Sequence, residues 1–234
     1  MGDLLGQIEH HQSALYAEGE RALLVVLQGR DAAGKDGVIR KVFGAFGPQG
    51  CQVTSFAAPN AAELAHDYLW RVHVATPPRG RVGIFNRSHY EDVLAVRVRR
   101  LVPDARWSKR YDHINDFERM LADEGTTIVK FFLHVSMDEQ RERLRKRLTD
   151  PEKNWTFRAG DLDDRALWDD YTRAYEDAIS RCSTAWAPWY VVPADKKSVR
   201  DYLVAQVVVD ALARMAPQYP RASPEVLEQL KRIT

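Results

Sequence analysis

The fold is decided by the stretch "LLVVLQGRDAAGKDGVIRKVFGAFG", Leu23 to Gly47. The apolar run Ala22–Gln28 reads as a buried strand. It leads into Gly29-Arg30-Asp31-Ala32-Ala33-Gly34-Lys35, the Gly-x-x-x-x-Gly-Lys spacing of a phosphate-binding loop. Lys35–Phe46 then reads as a helix. The order strand, glycine loop, helix gives the motif its meaning. Glycines let the backbone curl so that successive N–H groups cradle anionic oxygens. The helix adds the positive end of its dipole, and Lys35 adds a full charge. One position departs from the usual pattern. Asp36 stands where a Ser or Thr holds Mg²⁺ in ordinary nucleoside triphosphatases of this type. Asp31 and Asp36 offer carboxylate oxygens instead, which this hard cation accepts.

Outward from the loop, apolar runs alternate with amphipathic ones. Strands are expected at Gln52–Phe56, Val82–Asn86, Thr126–Val135 and Trp189–Val192. Helices are expected at Asn60–His73, with Asn60 as its cap, and at Asp112–Asp123, Met137–Leu148, Asp163–Arg181 and Ser198–Met215. Asp150-Pro151 stops the third of these helices. The alternation implies an α/β protein, a parallel sheet sandwiched by helices. No internal repeat or low-complexity segment interrupts it. One domain over residues 1–234 is expected, with an inserted lid at about 142–160.

Composition excludes several classes. Of 234 residues, 45% are apolar and 29% charged, the balance of a globular protein with a core. A net charge of +1 argues against a dedicated nucleic-acid binder. The two cysteines, Cys51 and Cys182, fit no metal spacing and suggest a reduced, cytoplasmic protein. No apolar run reaches the roughly 18 residues that a membrane span needs, so no membrane association is expected. The first twenty residues read as a polar helix rather than a signal peptide. Met1-Gly2 opens like a myristoylation signal, but Gly6 stands where that motif needs Ser or Thr.

A second motif follows the third strand: "VGIFNRSHYEDVL", Val82 to Leu94. Asn86 ends the strand where a metal-binding Asp is common. Arg87, Glu91 and Asp92 follow at the carboxyl end of the sheet, where open α/β folds place ligands. With the glycine loop, this segment resembles the polyphosphate kinase 2 family. "DEQRERLRKRLTDPEKNW" (Asp138–Trp155) looks like that family's lid. "WDDYTRAYEDA" (Trp168–Ala178) and "APWYVVPADKK" (Ala187–Lys197) look like its later signatures. The resemblance runs from about Leu23 to Asp201. The N-terminal helix and the tail from Pro217 add nothing to it.

The resemblance implies a P-loop kinase-like fold and Mg²⁺-dependent phosphoryl transfer between inorganic polyphosphate and a nucleotide, with Mn²⁺ as a substitute metal. It implies Asp31 as a Mg²⁺ ligand, Lys35 as the phosphate-binding lysine, Arg87 on nucleotide or transferred phosphate, and Arg143 and Arg147 as lid arginines. Gly29, Ala32, Ala33, Gly34, Asp36, Gly37, Asn86, Glu91 and Lys153 complete the expected substrate contacts, with Asn86 and Glu91 as further candidate metal ligands. "FNRSHYED" looks like the branch that accepts nucleoside monophosphates as well as diphosphates, with Glu91 the position expected to matter. Adenine nucleotides, with guanine as a further base, and a homo-oligomer are also implied. Two departures stand out: Asn86 replaces the family's strand-ending Asp, and Trp155-Thr156 replaces the lid's Trp-Lys.

Two basic clusters accompany these motifs. Arg141, Arg143, Arg145, Lys146 and Arg147 crowd the lid helix, with Lys153 and Arg158 beyond. Arg143 and Arg147, four apart, share a helix face, where like charges repel unless an anion neutralises them. Arg97, Arg99, Arg100, Arg106, Lys109 and Arg110 form the second cluster, equally readable as an anion track or a solvated face. Trp107 and Trp155 suit base stacking or packing. Trp168, Tyr171 and Tyr175 recur at helical spacing as core residues. His134 reads as a buried, satisfied histidine, and His10-His11 as solvent-facing. Two rival readings remain at this level: an ATP-dependent kinase for a small acceptor, and a non-catalytic nucleotide-binding switch.

Overall fold

Every residue of β1 (Ala22–Gly29) is buried. A strand apolar at each position needs cover on both faces, which only a central strand has. Accordingly β1 pairs in parallel with β3 (Val82–Asn86) on one side and β4 (Thr126–His134) on the other. The edges are β2 (Cys51–Ser55) beside β3 and β5 (Trp189–Pro193) beside β4, also parallel. The five-stranded order is β2-β3-β1-β4-β5. The structure, a computed structural model, describes residues 1–157 and 160–233.

Alternate side chains of β1 enter two separate cores. Leu23, Val25 and Leu27 face one layer, with Val38, Val204, Val208 and Leu212. That layer holds α1 (Gly2–Glu18), α2 (Lys35–Lys41) and α11 (Lys197–Met215). Leu24 and Val26 face the other, with Ile114, Phe117, Tyr171 and Tyr175. That layer holds α7 (Arg110–Asp123) and α10 (Trp168–Cys182), with the shorter α3 (Ala61–Leu64), α4 (Trp70–Val74), α5 (Ala95–Val98) and α6 (Asp104–Trp107) around it. Each fully buried Leu or Val contributes about 1.5–3 kcal/mol. Beyond the sheet lie α8 (Met137–Thr149), α9 (Gly160–Ala166) and α12 (Pro224–Glu228). No helix among the described residues is long and apolar enough to cross a membrane.

The expected parallel α/β sheet is present with all five strands. Three expected helices are broken. The helix after the glycine loop ends at Lys41, and a tight turn at Phe43–Ala45 stacks Phe43 on Phe46 over the core. Asn60 does cap a helix, through a reciprocal box with Glu63, but the helix stops at Leu64. Asp67 Oδ1 then accepts from the N–H groups of Leu69 and Trp70 and starts α4, a local bond that competes with helix continuation. The segment expected from Asp163 to Arg181 is divided at Leu167 into α9 and α10. His134 is exposed at the end of β4, not buried: the strand's last residue passes the edge of the core. Tyr171 and Tyr175 are core residues as expected, while Trp168 is only half-buried. Of the expected lid, the structure gives the second half of α8 and a short turn at Asn154–Thr156. Arg158 lies outside the described residues.

Candidate active site

The carboxyl ends of β1, β3 and β4 set the site. Gly29 ends β1 where a Cβ would come within 2.9 Å of the Leu133 carbonyl oxygen, so the neighbouring strand itself demands glycine. The chain then curls through Ala32 at φ 62 and Gly34 at φ 100, and Gly34 begins α2. Lys35 folds back across this curl, its Nζ donating to the carbonyls of Gly29 at 2.7 Å and Arg30 at 3.3 Å. Burial lowers its pKa, and so does Arg87, while Asp31, Glu91 and Asp36 pull the other way.

β3 delivers the facing residues. Asn86 Nδ2 donates to Asp36 Oδ1 at 2.8 Å, tying this strand's end to the first turn of α2. Arg87 has φ 61, a left-handed conformation that costs a non-glycine residue on the order of 1 kcal/mol. Its Nη2 donates to Asp31 Oδ1 at 2.8 Å. Glu91 lies one short turn further on. With the Gln28 amide oriented to satisfy its neighbours, its nitrogen donates to Glu91 Oε1 at 3.1 Å. Burial raises the Glu91 pKa, opposed by Arg87 and Lys35. Lys35, Arg87, Asp31 and Glu91 thus form one electrostatically coupled group.

All of this group except Lys35, which is buried against the loop's own carbonyls, stands at a cavity of 790 Å³, within the range of small-molecule sites. Asp31, Arg87 and Glu91 line it together with Phe56, Tyr171 and Tyr175. The second basic cluster contributes Arg99, Arg106 and Arg110 to its wall. Much of that charge is already matched. Arg110 pairs with Asp92 at 2.7 Å, Arg99 with Asp164 at 2.7 Å, and Arg97 with Asp177 at 2.6 Å. Burial pushes the Asp92 carboxyl up to about 6 despite Arg110 and Arg71.

The residues expected of the lid are placed unevenly. Arg143 reaches the glycine loop, donating to the carbonyls of Ala32 and Ala33. Arg147 is half-buried, one turn further along α8. Lys153 is exposed at the tip, paired with Asp150, and is not brought to the cavity. Trp155 is 79% exposed. Trp107 packs under Arg97, its Nε1 donating to Asp104. The expected like-charge repulsion along α8 is relieved within the protein, by Glu139 for Arg143 and Asp138 for Arg141.

Several site residues escaped the sequence. Arg30, inside the loop, stacks 3.8 Å from the centre of the Trp168 ring and donates to Thr172. Arg200 lies against Gly34 from the far end of the chain. Asp164 and Arg71 line the cavity with no motif to mark them.

The order and geometry of these segments agree with what other proteins share. The family described as Polyphosphate kinase 2 (PPK2) matches residues 2–220. The chain belongs to the polyphosphate kinase 2 family. The match takes in the N-terminal helix and the first residues of the tail, beyond the Leu23–Asp201 stretch that the motifs alone cover. A relative from Meiothermus ruber, named AMP/ADP-polyphosphate phosphotransferase, is 60% identical over 215 residues, 92% of this chain and 80% of its own. Another from Rhodopseudomonas palustris, named ADP-polyphosphate phosphotransferase, is 48% identical over 231 residues, 94% of this chain and 80% of its own. The crystal structure of polyphosphate kinase 2 from Arthrobacter aurescens TC1 superposes with a TM-score of 0.96 at 44% identity, covering 99% of this chain and 83% of that one.

Proposed function

We propose that this member of the polyphosphate kinase 2 family transfers the terminal phosphoryl group of inorganic polyphosphate to AMP and ADP. The observation that carries the reading is the coupled group of Lys35, Arg87, Asp31 and Glu91, the last three of which line the cavity beside the glycine loop. The polymer end lies along the glycine loop and the nucleotide fills the cavity. Family membership and the names of the relatives support the choice of donor and acceptors. They favour it over an ATP-dependent kinase or a silent nucleotide switch.

The nucleotide's terminal phosphate oxygen is already anionic, so attack needs no strong general base. Rate then comes from alignment and from neutralising charge as the loose transition state forms. Lys35 and Arg87 supply cations at the transferred group, the backbone of Gly29, Ala32, Ala33, Gly34 and Gly37 forms its cradle, and Arg147 closes from the lid. Water exclusion under the lid limits hydrolysis.

The donor set fits Mg²⁺. Among the described residues no cluster of three or more His, Cys, Asp or Glu could hold a metal unaided. Mg²⁺ commonly takes one or two carboxylates and completes its shell with phosphate oxygens and water. Asp31 and Glu91 would hold it, with Asp36 and Asn86 behind them, and Mn²⁺ would substitute. When bound, the ion supplies charge neutralisation between the phosphate groups. The same proposal covers guanine nucleotides as additional acceptors, a cytoplasmic homo-oligomer, and a single kinase domain with its lid at about 142–160. Lys153 would meet the polymer from the lid tip.

The test is product analysis with long-chain polyphosphate and Mg²⁺, supplying AMP and ADP separately without ATP. ADP and then ATP should form from AMP, and ATP from ADP. The Lys35→Ala protein should lose on the order of 10²–10³-fold in kcat with its fold unchanged. ATP from ADP alone would remove monophosphate acceptance. No product in either tube, or a Lys35→Ala protein at wild-type rate, would overturn the proposal.

A further inference from the structure

Two guanidinium groups approach the glycine loop on its carbonyl side, from helices far apart in sequence. Arg143 of α8 donates from Nη1 to the carbonyls of Ala32 at 3.0 Å and Ala33 at 3.1 Å. From Nη2 it donates to the carbonyls of Ala194 at 2.6 Å and Asp195 at 2.8 Å. Its Nε donates to Glu139 at 2.8 Å. Arg200, in the first turn of α11, donates from Nη1 to the same Ala33 carbonyl at 3.3 Å. Its Nε and Nη2 both donate to Asp201 Oδ1, at 2.8 and 2.6 Å. The Arg200 side chain is 2% exposed.

These contacts are close. A Cβ on Gly34 would lie 1.9 Å from Arg200 Nη1, and one on Gly37 would lie 3.1 Å from Nη2. Gly34 is demanded by its φ of 100, and a Cβ there would also have to push the Arg200 guanidinium aside. Both arginines already have carboxylate partners and spend their remaining donors largely on backbone oxygens. They are not arranged as cations awaiting an anion.

We propose that Arg143 and Arg200 are positioning residues that hold the phosphate loop in its anion-binding shape, and that neither contacts the polyphosphate. The inference rests on the phosphoryl-transfer reading above. In a trans peptide unit the C=O and N–H point in opposite directions. Fixing the Ala33 carbonyl on the guanidinium side therefore fixes the Gly34 N–H on the opposite side, at the entrance to α2. Charge-assisted bonds to a carbonyl also polarise its peptide unit and strengthen the opposing N–H as a donor. Arg143 additionally ties the loop to the chain between β5 and α11. Because α8 continues outward to Arg147, the same clamp anchors the base of the lid.

The test compares Arg143→Met, Arg143→Lys, Arg200→Met and Arg200→Lys, using polyphosphates of short and long chain. A displaced loop should lower kcat on the order of 10²-fold in both Met variants. The loss should be equal for short and long chains, and KM for polyphosphate should rise by the same factor, about tenfold, for both, because misdirected N–H groups weaken the hold on the polymer end whatever its length. Arg200→Lys should regain about tenfold of that loss, since an ammonium can still donate to the Ala33 carbonyl. Arg143→Met with a raised KM that grows with chain length would mean direct contact with the polymer and overturn the assignment. Wild-type kcat in both Met variants would overturn it as well. Should Arg200→Met fail to fold, the Arg143 pair alone decides by the same criteria. Should the wild type give no product, the functional reading falls, and the clamp is judged by calorimetry with tripolyphosphate. Binding at least about tenfold weaker in Arg143→Met then supports it, because misdirected N–H groups lose charge-assisted bonds; equal affinity overturns it.

Discussion

Asp92 concentrates the residue-scale physics of the site. Its folded pKa of about 6 lies above the ordinary value near 3.9, because burial outweighs Arg110 and Arg71. A raised carboxyl pKa means that the folded state holds the proton more tightly. The associated stability is fully present below about pH 4 and is lost as pH rises through 6. A rise of this size corresponds to roughly 3 kcal/mol at most. The stability of wild type minus that of Asp92→Asn should therefore fall by about 1–3 kcal/mol between pH 4 and pH 7, measured by urea unfolding. A difference that does not change with pH would refute it. The sequence makes Lys35, Asp31, Arg87 and Glu91 visible because each sits inside a motif whose spacing has a physical reason. It hides the partners. Nothing near Asp92 announces Arg110, and nothing near Gly34 announces Arg200, because those contacts exist only once the sheet has closed.

At the scale of elements, the turn carrying Arg87 and Glu91 rests on a fully buried polar network. Lys130 of β4 donates to Glu118 of α7 at 2.5 Å, to Tyr90 Oη at 2.7 Å and to the Cys182 carbonyl at 2.8 Å. His89 Nε2 and Tyr90 Oη both meet Glu118 Oε1, at 3.1 and 3.0 Å. Four elements are joined there, with no side-chain exposure for Lys130 or Glu118. Breaking such a pair strands a charge in a medium that cannot solvate it. Lys130→Met alone should cost about 3–5 kcal/mol, and Lys130→Met with Glu118→Leu should recover most of that loss. A double-mutant cycle by urea denaturation checks this, and additive losses would count against the coupling. Strand positions followed from apolar runs and were found in place. Helix breaks at Ala65–Leu69 and Leu167 were not legible in the sequence: Asp67 captures local backbone N–H groups, and Asp164 is held by Arg99 and Tyr171, bonds that periodicity does not register.

For the whole molecule, the parallel order β2-β3-β1-β4-β5 leaves two faces that different helices cover. The layer with α7 and α10 meets the cavity, while α1 and α11 cover the opposite face. Ile8, fully buried in that second layer, should report on stability alone. Ile8→Ala should cost about 2–5 kcal/mol with kcat unchanged, measured by thermal unfolding beside steady-state assays. A matching fall in kcat would show that packing at Ile8 reaches the phosphate loop through α2 or α11. The pairing of α1 with α11 also imposes an order in time. Arg21, just after α1, donates to the Met215 carbonyl at 2.6 Å, at the last residue of α11. During synthesis, α1 emerges early, but its partner begins only at residue 197. At a ribosomal pace of ~5–20 residues per second, the apolar stripe of α1 waits roughly ten to forty seconds for its cover. The nascent chain therefore spends its longest vulnerable interval with one flank of the sheet unfinished, a window in which a chaperone has reason to hold it.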